Sequence, residues 1–459
     1  MRYSAQPTTR SKNIHPTHSI RLWFRWLAIG ALMAQLTGCQ ILHLPNLRFP
    51  YGFDDNRQPT IKSLEGHSFR IIPDTDLVGL PAVMISEPGD TLPDIARHFG
   101  LGFNDITRAN PHLSIWVPGS DQRVVLPVKF ILPDAPRKGI VLNLANMRLF
   151  HYPNAPKTAQ RSVITYPIGI GRQGWSTPTG RARITQKKTN PSWTVPASIL
   201  REHRLDGDPL PRIVKAGPDN PLGLFALRLS MPSYLIHGTN KPYGVGMRVS
   251  HGCVRLYPEN IETLFKQVRV GTQVKIVNQP YLIGWWHNML YLEAHKPLTD
   301  KPKIHLKLTQ SVLKQLKEQA KKTTTAVDWE KVEKILELAN GIPTPILSYS
   351  QSLDHLTDYW DIVAHPDSFY GKPAVPPVTS MDWAALAGNF ANATKAQRLA
   401  EILTHQGPPL PARVIETTKQ YKVIVGPYKN RREVDSAKKR LNREFEIDAK
   451  IIQPLISRR

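Results

Sequence analysis

The chain has 459 residues, with 60 Lys and Arg against 36 Asp and Glu, a net charge of +24, and only 2 cysteines. Its length calls for about two to four domains, and the cysteine count excludes a disulfide-stapled scaffold. The cationic surplus points to a polyanionic partner, of which nucleic acid, membrane head groups and wall polymers are the common classes.

The N-terminal stretch "RLWFRWLAIGALMAQLTGC" runs from arginines through an apolar segment to small residues and closes on Cys39. That order is a secretory signal, and its apolar part is too short to span a bilayer comfortably. "LTGC" resembles a bacterial lipobox, which implies cleavage before Cys39 and a lipid on its sulfur. An uncleaved inner-membrane anchor is the alternative, and the long basic lead keeps it open. Gln40 stands where an aspartate would favour inner-membrane retention. The expected location is therefore the periplasm, with the lipid in the outer membrane. Export argues against nucleic acid and leaves wall peptides and head groups as the anionic partners. No long apolar run follows residue 39, so the mature chain is expected to be soluble apart from its anchor.

Residues 40–80 lack clear periodicity and read as a tether. In the next segment, 81–130, Leu92, Ile95, Ala96 and Phe99 form one face of a short helix. Asp90 and Thr91 offer caps, Pro93 fits the first turn, and Asn104 can cap a second helix. Short apolar runs flank the pair, giving strand, helix, helix, strand. The pattern "GDTL…IA…F…N…I…NP" resembles a LysM module, which implies binding of N-acetylglucosamine-containing glycan. A purely structural domain packed on its neighbour is the bland alternative.

From "GIVLNLANMRLFHYP" onward, Val-, Ile-, Leu- and Tyr-rich runs alternate with Gly, Pro and Asn turns, which predicts a mainly β domain over 138–297. "YLIHGTNKPYGVGMRVSHGCVRL" ends a strand at His237, crosses a glycine-rich loop and reaches Cys253. If Cys39 carries lipid, Cys253 has no disulfide partner, and a lone periplasmic thiol points to chemistry. An inert buried cysteine and a zinc site are the alternatives; the latter lacks a second cysteine. A neighbouring imidazolium would stabilise the thiolate, and the imidazole could return a proton to a leaving amine. His237 approaches from another strand and is the better base, whereas His251 shares the strand of Cys253. Gly252 allows close backbone approach, N–H groups near Cys253 could cradle an oxyanion, and Arg255 offers a fork for a carboxylate.

"HGT" followed by "SHGCVRL", with "STPTG", "GPDNPLG" and "YLIHGTN" in order, resembles the L,D-transpeptidases, or YkuD-domain proteins. The closing "YLIGWWHNMLYLEAHKPL" is similar to a hairpin of the enterobacterial-type members. The resemblance implies a β-sandwich-like fold with Cys253 as nucleophile, His237 as general base and acid, and His251 in support. Gly238 would position His237 through its carbonyl; Arg255, Gly252, Gly238 and Ser250 form the substrate-binding set. Such enzymes attack the bond between meso-diaminopimelate and D-alanine in tetrapeptide stems. An amine then resolves the thioester: another stem, a lysine of an outer-membrane lipoprotein, or a D-amino acid. No metal or organic cofactor is implied.

Beyond the catalytic segment, residues 300–345 read as amphipathic helices forming a connector, and 346–380, bracketed by proline-rich runs, as a linker. The last segment repeats itself, matching Gly388 to Gly426, Phe390 to Tyr428, Asn392 to Asn430 and Leu403 to Leu441. Each copy reads strand, helix, strand, so two copies could share one sheet. Residues 381–455 thereby resemble a SPOR domain, which implies binding of glycan stripped of stem peptides and enrichment at division septa. The leading expectation is a multidomain, wall-bound L,D-transpeptidase. A cysteine peptidase that hydrolyses stems, and a non-catalytic tether, are the competing readings.

Overall fold

The computed structural model describes residues 58–454 except 155, 157, 158, 206, 208 and 300. Cys39 and the signal segment lie outside the described residues. Among the described residues, no helix is long and apolar enough to cross a membrane.

The Val- and Ile-rich runs of the catalytic segment join one nine-stranded mixed sheet that curls over its core. One of its inner strands, Gly139–Asn143, is buried along nearly its whole length. Alternate side chains on a strand point to opposite faces, and here both faces are covered. Ile140 and Leu142 enter a core with Ile236, Val254, Ile261 and Leu264. Val141 enters a second core with Leu92, Ile95, Ile106 and Phe150. The first core belongs to the catalytic module and includes its helix Pro258–Gln267. The second fuses that sheet to the helical pair ahead of it.

That pair forms as the sequence leads one to expect. Strand Ala82–Ile85 pairs antiparallel with Arg123–Leu126, and helices Leu92–His98 and Phe103–Ala109 lie between them in sequence. Thr91 caps the first helix by accepting the Asp94 N–H at 3.1 Å. The second helix differs: Gly102, not Asn104, is its cap, and Asp105 accepts the Gly102 N–H at 2.9 Å. Gly102 is small for a reason of packing. A Cβ there would sit 2.7 Å from Cα of Gly246, a catalytic-module glycine with φ +85°. The Phe103 N–H also donates to Val245 O at 3.0 Å. Buried Arg148 bonds Asp105 at 2.7 Å and the Gly100 carbonyl at 3.2 Å, tying the same helix to the sheet.

Three expected boundaries differ from the structure. The described part of the 40–80 tether is folded: Ser68–Arg70 pairs with Ser162–Pro167 at the sheet edge, and Leu77–Gly79 pairs with Lys129–Ile131. Residues 346–380 are likewise packed, with Ile362–Val363 adding a parallel strand to Ala82–Ile85. Backbone pairing across hundreds of residues leaves no local periodicity. The hairpin of Tyr281–Trp286 and Met289–Ala294 turns at His287 and Asn288, both with positive φ. Its Leu290 and Leu292 pack with Val312, Leu316, Val332 and Ile335 of the connector helices. The hairpin therefore belongs with residues 300–345 rather than with the catalytic core.

The C-terminal repeat folds as two strand–helix–strand copies in one sheet, ordered Ala412–Glu416, Tyr421–Tyr428, Trp383–Phe390 and Lys450–Ile452. Asn392 and Asn430, matched in the repeat, cap the two helices, accepting from Lys395 N and Glu433 N. This unit has a core of its own built on Leu403, Val423, Val425 and Leu441. It also docks on the rest of the molecule through His405, which meets Asp94 at 2.9 Å.

Candidate active site

The signature segments meet because strand Leu235–His237 pairs in parallel with Val254–Arg255. Ile236 faces Val254 and His237 faces Arg255 in that register. Gly252 turns the chain into the second strand with φ +105°, a conformation that L side chains rarely adopt. A Cβ there would also lie 3.0 Å from the Tyr234 ring.

The turn is pinned by two hydroxyls. Buried Ser250 donates through Oγ to the Cys253 carbonyl at 2.6 Å and accepts the Gly252 N–H at 3.2 Å. Thr177 donates to the Gly252 carbonyl at 2.7 Å and accepts the Gly171 N–H at 3.1 Å. Cys253 is a free, half-buried thiol, with Sγ 3.7 Å from the Ser233 carbonyl on the segment leading to His237.

His237 is buried, and its Nδ1–H donates to the Gly238 carbonyl at 2.6 Å. In the neutral ring that bond leaves the lone pair on Nε2. Burial pulls its pKa down to about 3; the Arg255 cation adds to the effect, and backbone hydrogen bonds at Gly238 and Leu222 oppose it. Burial also pushes the Cys253 thiol up, against the opposing influence of a backbone hydrogen bond at Leu235 and of Arg255. Burial thus works against an imidazolium–thiolate pair at this site. Both shifts favour the neutral forms, because charge on either group would be poorly solvated.

His251 faces a different set of partners. Its Nε2 lies 2.9 Å from Glu202 Oε2 and 3.2 Å from Arg172 Nη2. Arg172 also bonds Glu202 directly, and Trp175 packs edge-on against the imidazole at 4.9 Å between centroids. Burial lowers the His251 pKa despite the raising influence of Glu202. Glu202 itself is held below the usual carboxylate range by hydrogen bonds from Arg172 and His251. These neighbours were not singled out from sequence. Arg172, Trp175 and Thr177 lie within or beside the "GRQGWSTPTG" block, where a loop rich in Gly and Pro was visible but individual roles were not. Glu202 sits on helix Ala197–Leu205, with no local signal linking it to His251.

Arg255 is poised differently from these paired groups. Its buried Nε has no hydrogen-bond partner among the described residues. The described residues hold no group of three or more His, Cys, Asp or Glu arranged to hold a metal ion.

Comparison with known proteins agrees with this architecture. Residues 137–276 match the L,D-transpeptidase catalytic domain, YkuD; residues 87–118 match the LysM domain and 382–453 the SPOR domain. The chain is 37% identical over 278 residues to a probable L,D-transpeptidase, YcfS, of Escherichia coli strain K12, covering 59% of this chain and 84% of that protein. It is 41% identical over 227 residues to a second from the same strain, YbiS, covering 49% of this chain and 72% of that protein. The catalytic domain of the E. faecium L,D-transpeptidase aligns over 31% of this chain and 99% of that one, at 20% identity and a TM-score of 0.23. LysM and SPOR domains bind peptidoglycan and YkuD domains act on its stem peptides, which indicates work outside the cytoplasm. The sequence relatives settle the family: this chain is a multidomain enzyme of the L,D-transpeptidase family, carrying a LysM and a SPOR domain on one catalytic module.

Proposed function

We propose that the chain cleaves the diaminopimelate–D-alanine bond of tetrapeptide stems through Cys253 and passes the acyl group to an amine. The observation that supports this reading is the register of His237 against Arg255, which sets the strand ending at buried His237 alongside the strand that follows the Cys253 turn. As the Cys253 sulfur bonds to the diaminopimelate carbonyl carbon, its proton passes to His237 Nε2. The Gly252 N–H is engaged by Ser250, so the Cys253 N–H is the nearer donor for the oxyanion. When the carbon–nitrogen bond breaks, His237 returns the proton to the departing D-alanine amine. An acceptor amine then attacks the thioester and gives up a proton, and Cys253 leaves as a thiol. His251, oriented by Glu202 and Arg172, shapes the opposite wall of the site.

The acceptor is a second stem, a lipoprotein lysine or a D-amino acid, with water as the competitor that would make the enzyme a peptidase. Cys39, on the strength of "LTGC", anchors the chain to the outer membrane from the periplasmic side. The test is release of D-alanine from a purified disaccharide-tetrapeptide together with intact-protein mass. Wild type releases D-alanine and accumulates an acyl adduct on Cys253; Cys253→Ala does neither. Release by Cys253→Ala would end the assignment.

A further inference from the structure

Beside the catalytic strands lies a cavity of about 460 Å³ whose walls come from all three wall-related modules. Trp116 comes from the LysM module, Lys241, Tyr243 and Arg255 from the catalytic module, and Phe445 and Glu444 from the SPOR module. The junction is held closed by a buried knot. Asp94 accepts from Tyr243 Oη at 2.9 Å, from His405 Nε2 at 2.9 Å and from Thr91 Oγ1 at 2.8 Å. The SPOR module is thus seated against the catalytic module at a fixed place.

The charges lining this cavity are unbalanced. Arg255 presents a guanidinium whose buried Nε lacks any partner, and neither it nor the Lys241 ammonium has an ion pair among the described residues. Among the described residues, the one acid in the wall, Glu444, pairs with Arg440 at 3.2 Å and Arg443 at 2.8 Å and is shared with Lys241, which leaves the cavity cations in excess. Burial lowers the Lys241 pKa, the charge of Glu444 opposes that, and Arg255, Arg440 and Arg443 act with burial. Two cations beside the apolar faces of Trp116, Tyr243 and Phe445 suit a ligand with a carboxylate on a partly apolar body.

We propose that this junction is a subsite for a free carboxylate of a peptidoglycan stem peptide, with Lys241 and Arg255 as its cations and the SPOR module as one wall. The proposal rests on the stem-peptide reading above. It makes the SPOR module part of the substrate-binding surface as well as a targeting device. The carboxylate could belong to the donor stem or to the acceptor stem, since both carry the same chemistry.

The experiment measures KM and kcat on the full chain, separately for the donor in D-alanine release and for an acceptor stem in transfer. Lys241→Gln removes one cation, Phe445→Asp adds an opposing charge on the SPOR wall, and Lys439→Gln is an equal charge loss on an exposed part of the same module. Loss of a charged hydrogen bond in Lys241→Gln should raise the relevant KM about tenfold, and the added negative charge of Phe445→Asp should raise it as well, with kcat within about twofold in both. Lys439→Gln should leave both parameters as in wild type. A change confined to the donor KM assigns the site to the donor; one confined to the acceptor KM assigns it to the acceptor. A stem with its free carboxylates amidated should show the same loss with the unmutated enzyme, and Lys241→Gln should add nothing further. Equal KM values for free and amidated stems, with Lys241→Gln unchanged, would overturn the proposal. Binding of the free stem to Cys253→Ala by calorimetry separates the two readings. Tight, Lys241-dependent binding without D-alanine release by wild type would retain the subsite and discard the chemistry.

Discussion

Asp94 near the start of the described chain and His405 near its end meet 2.9 Å apart, with side chains 0% and 1% exposed. A buried acid and base survive there because each supplies the other's counter-charge. Desolvation works against both charges, yet hydrogen bonding to Asp94 raises the His405 pKa, and the same bond lowers that of Asp94. Glu401, 3.4 Å from the other imidazole nitrogen, adds to the pull on His405, and burial raises its own pKa. Trp116 and Tyr243 complete the enclosure with ring centroids at 5.6 and 4.6 Å.

The docking of the SPOR module should therefore depend on pH, and the sign follows from the two shifts. A raised His405 pKa contributes stability that is complete below the ordinary histidine value of about 6.5 and is lost as pH rises through the folded value. A lowered Asp94 pKa contributes stability present above the ordinary carboxylate range and lost in strong acid. Hydrogen-exchange protection over residues 393–405, corrected for the intrinsic base-catalysed rate, should thus be greatest in weakly acidic solution and fall at alkaline pH. Asp94→Asn or His405→Ala should weaken the junction by about 3–5 kcal/mol, because each leaves a buried partner uncompensated. Protection factors that stay flat from pH 5 to 9 would show that the pair does not hold the module.

Burial favours the uncharged forms of the Cys253 thiol and the His237 imidazole, which makes a second prediction. Alkylation of Cys253 by iodoacetamide, followed by peptide mass spectrometry, should have its midpoint above the ordinary thiol value of about 8.5. His237→Ala should leave that midpoint nearly where it was, while greatly reducing turnover on stem peptides. Because His237 stays neutral down to about pH 3, kcat/KM should also lack an acid limb near pH 6.5. A thiol midpoint below 7 in wild type that rises in His237→Ala would instead establish an ion pair.

Much of this molecule was legible where structure is local. Thr91 sits one residue ahead of an apolar helical face, and it caps that helix. The fixed offset between the two C-terminal copies places Asn392 and Asn430 at equivalent caps. "SHGCVRL" and "HGT" are each short strand-and-turn segments, so their meeting needed only one strand pairing. The hidden parts all depend on contacts between distant segments. Nothing around Ile362 marks it as a partner of Val83, and nothing around Glu202 marks it as a partner of His251. Asp94 sits in the first turn of its helix, and its role at the junction comes from Tyr243 and His405, which lie far along the chain.

The Glu202–His251 contact carries a third prediction. Glu202 fixes the imidazole by accepting at Nε2, and Arg172 holds Glu202 in place. Glu202→Ala should free the ring and lower kcat/KM about tenfold, or about 1.4 kcal/mol of barrier. Glu202→Gln keeps an acceptor oxygen and should recover part of the loss. Neither should prevent alkylation of Cys253 by a small neutral reagent. Full activity in Glu202→Ala would show that His251 needs no orientation.

The final prediction concerns where the enzyme works. The C-terminal repeat has a closed core on Leu403, Val423, Val425 and Leu441, and its paired strands need no strand from elsewhere. Residues 381–455 should therefore fold when expressed alone and bind peptidoglycan. If the repeat selects glycan stripped of its stems, a fluorescent fusion of this segment should gather at division sites. In the full chain, binding through two wall modules makes each later contact intramolecular and raises the local substrate concentration. Deleting the repeat should disperse the enzyme and, because Tyr243 and Trp116 lose their cover, also lower its stability. Uniform labelling by the isolated segment, in cells whose septal glycan is demonstrably denuded, would reject septal targeting. The proposed chemistry at Cys253 would be untouched by that result, since the Cys253 turn is pinned by Ser250 and Thr177 of the catalytic module.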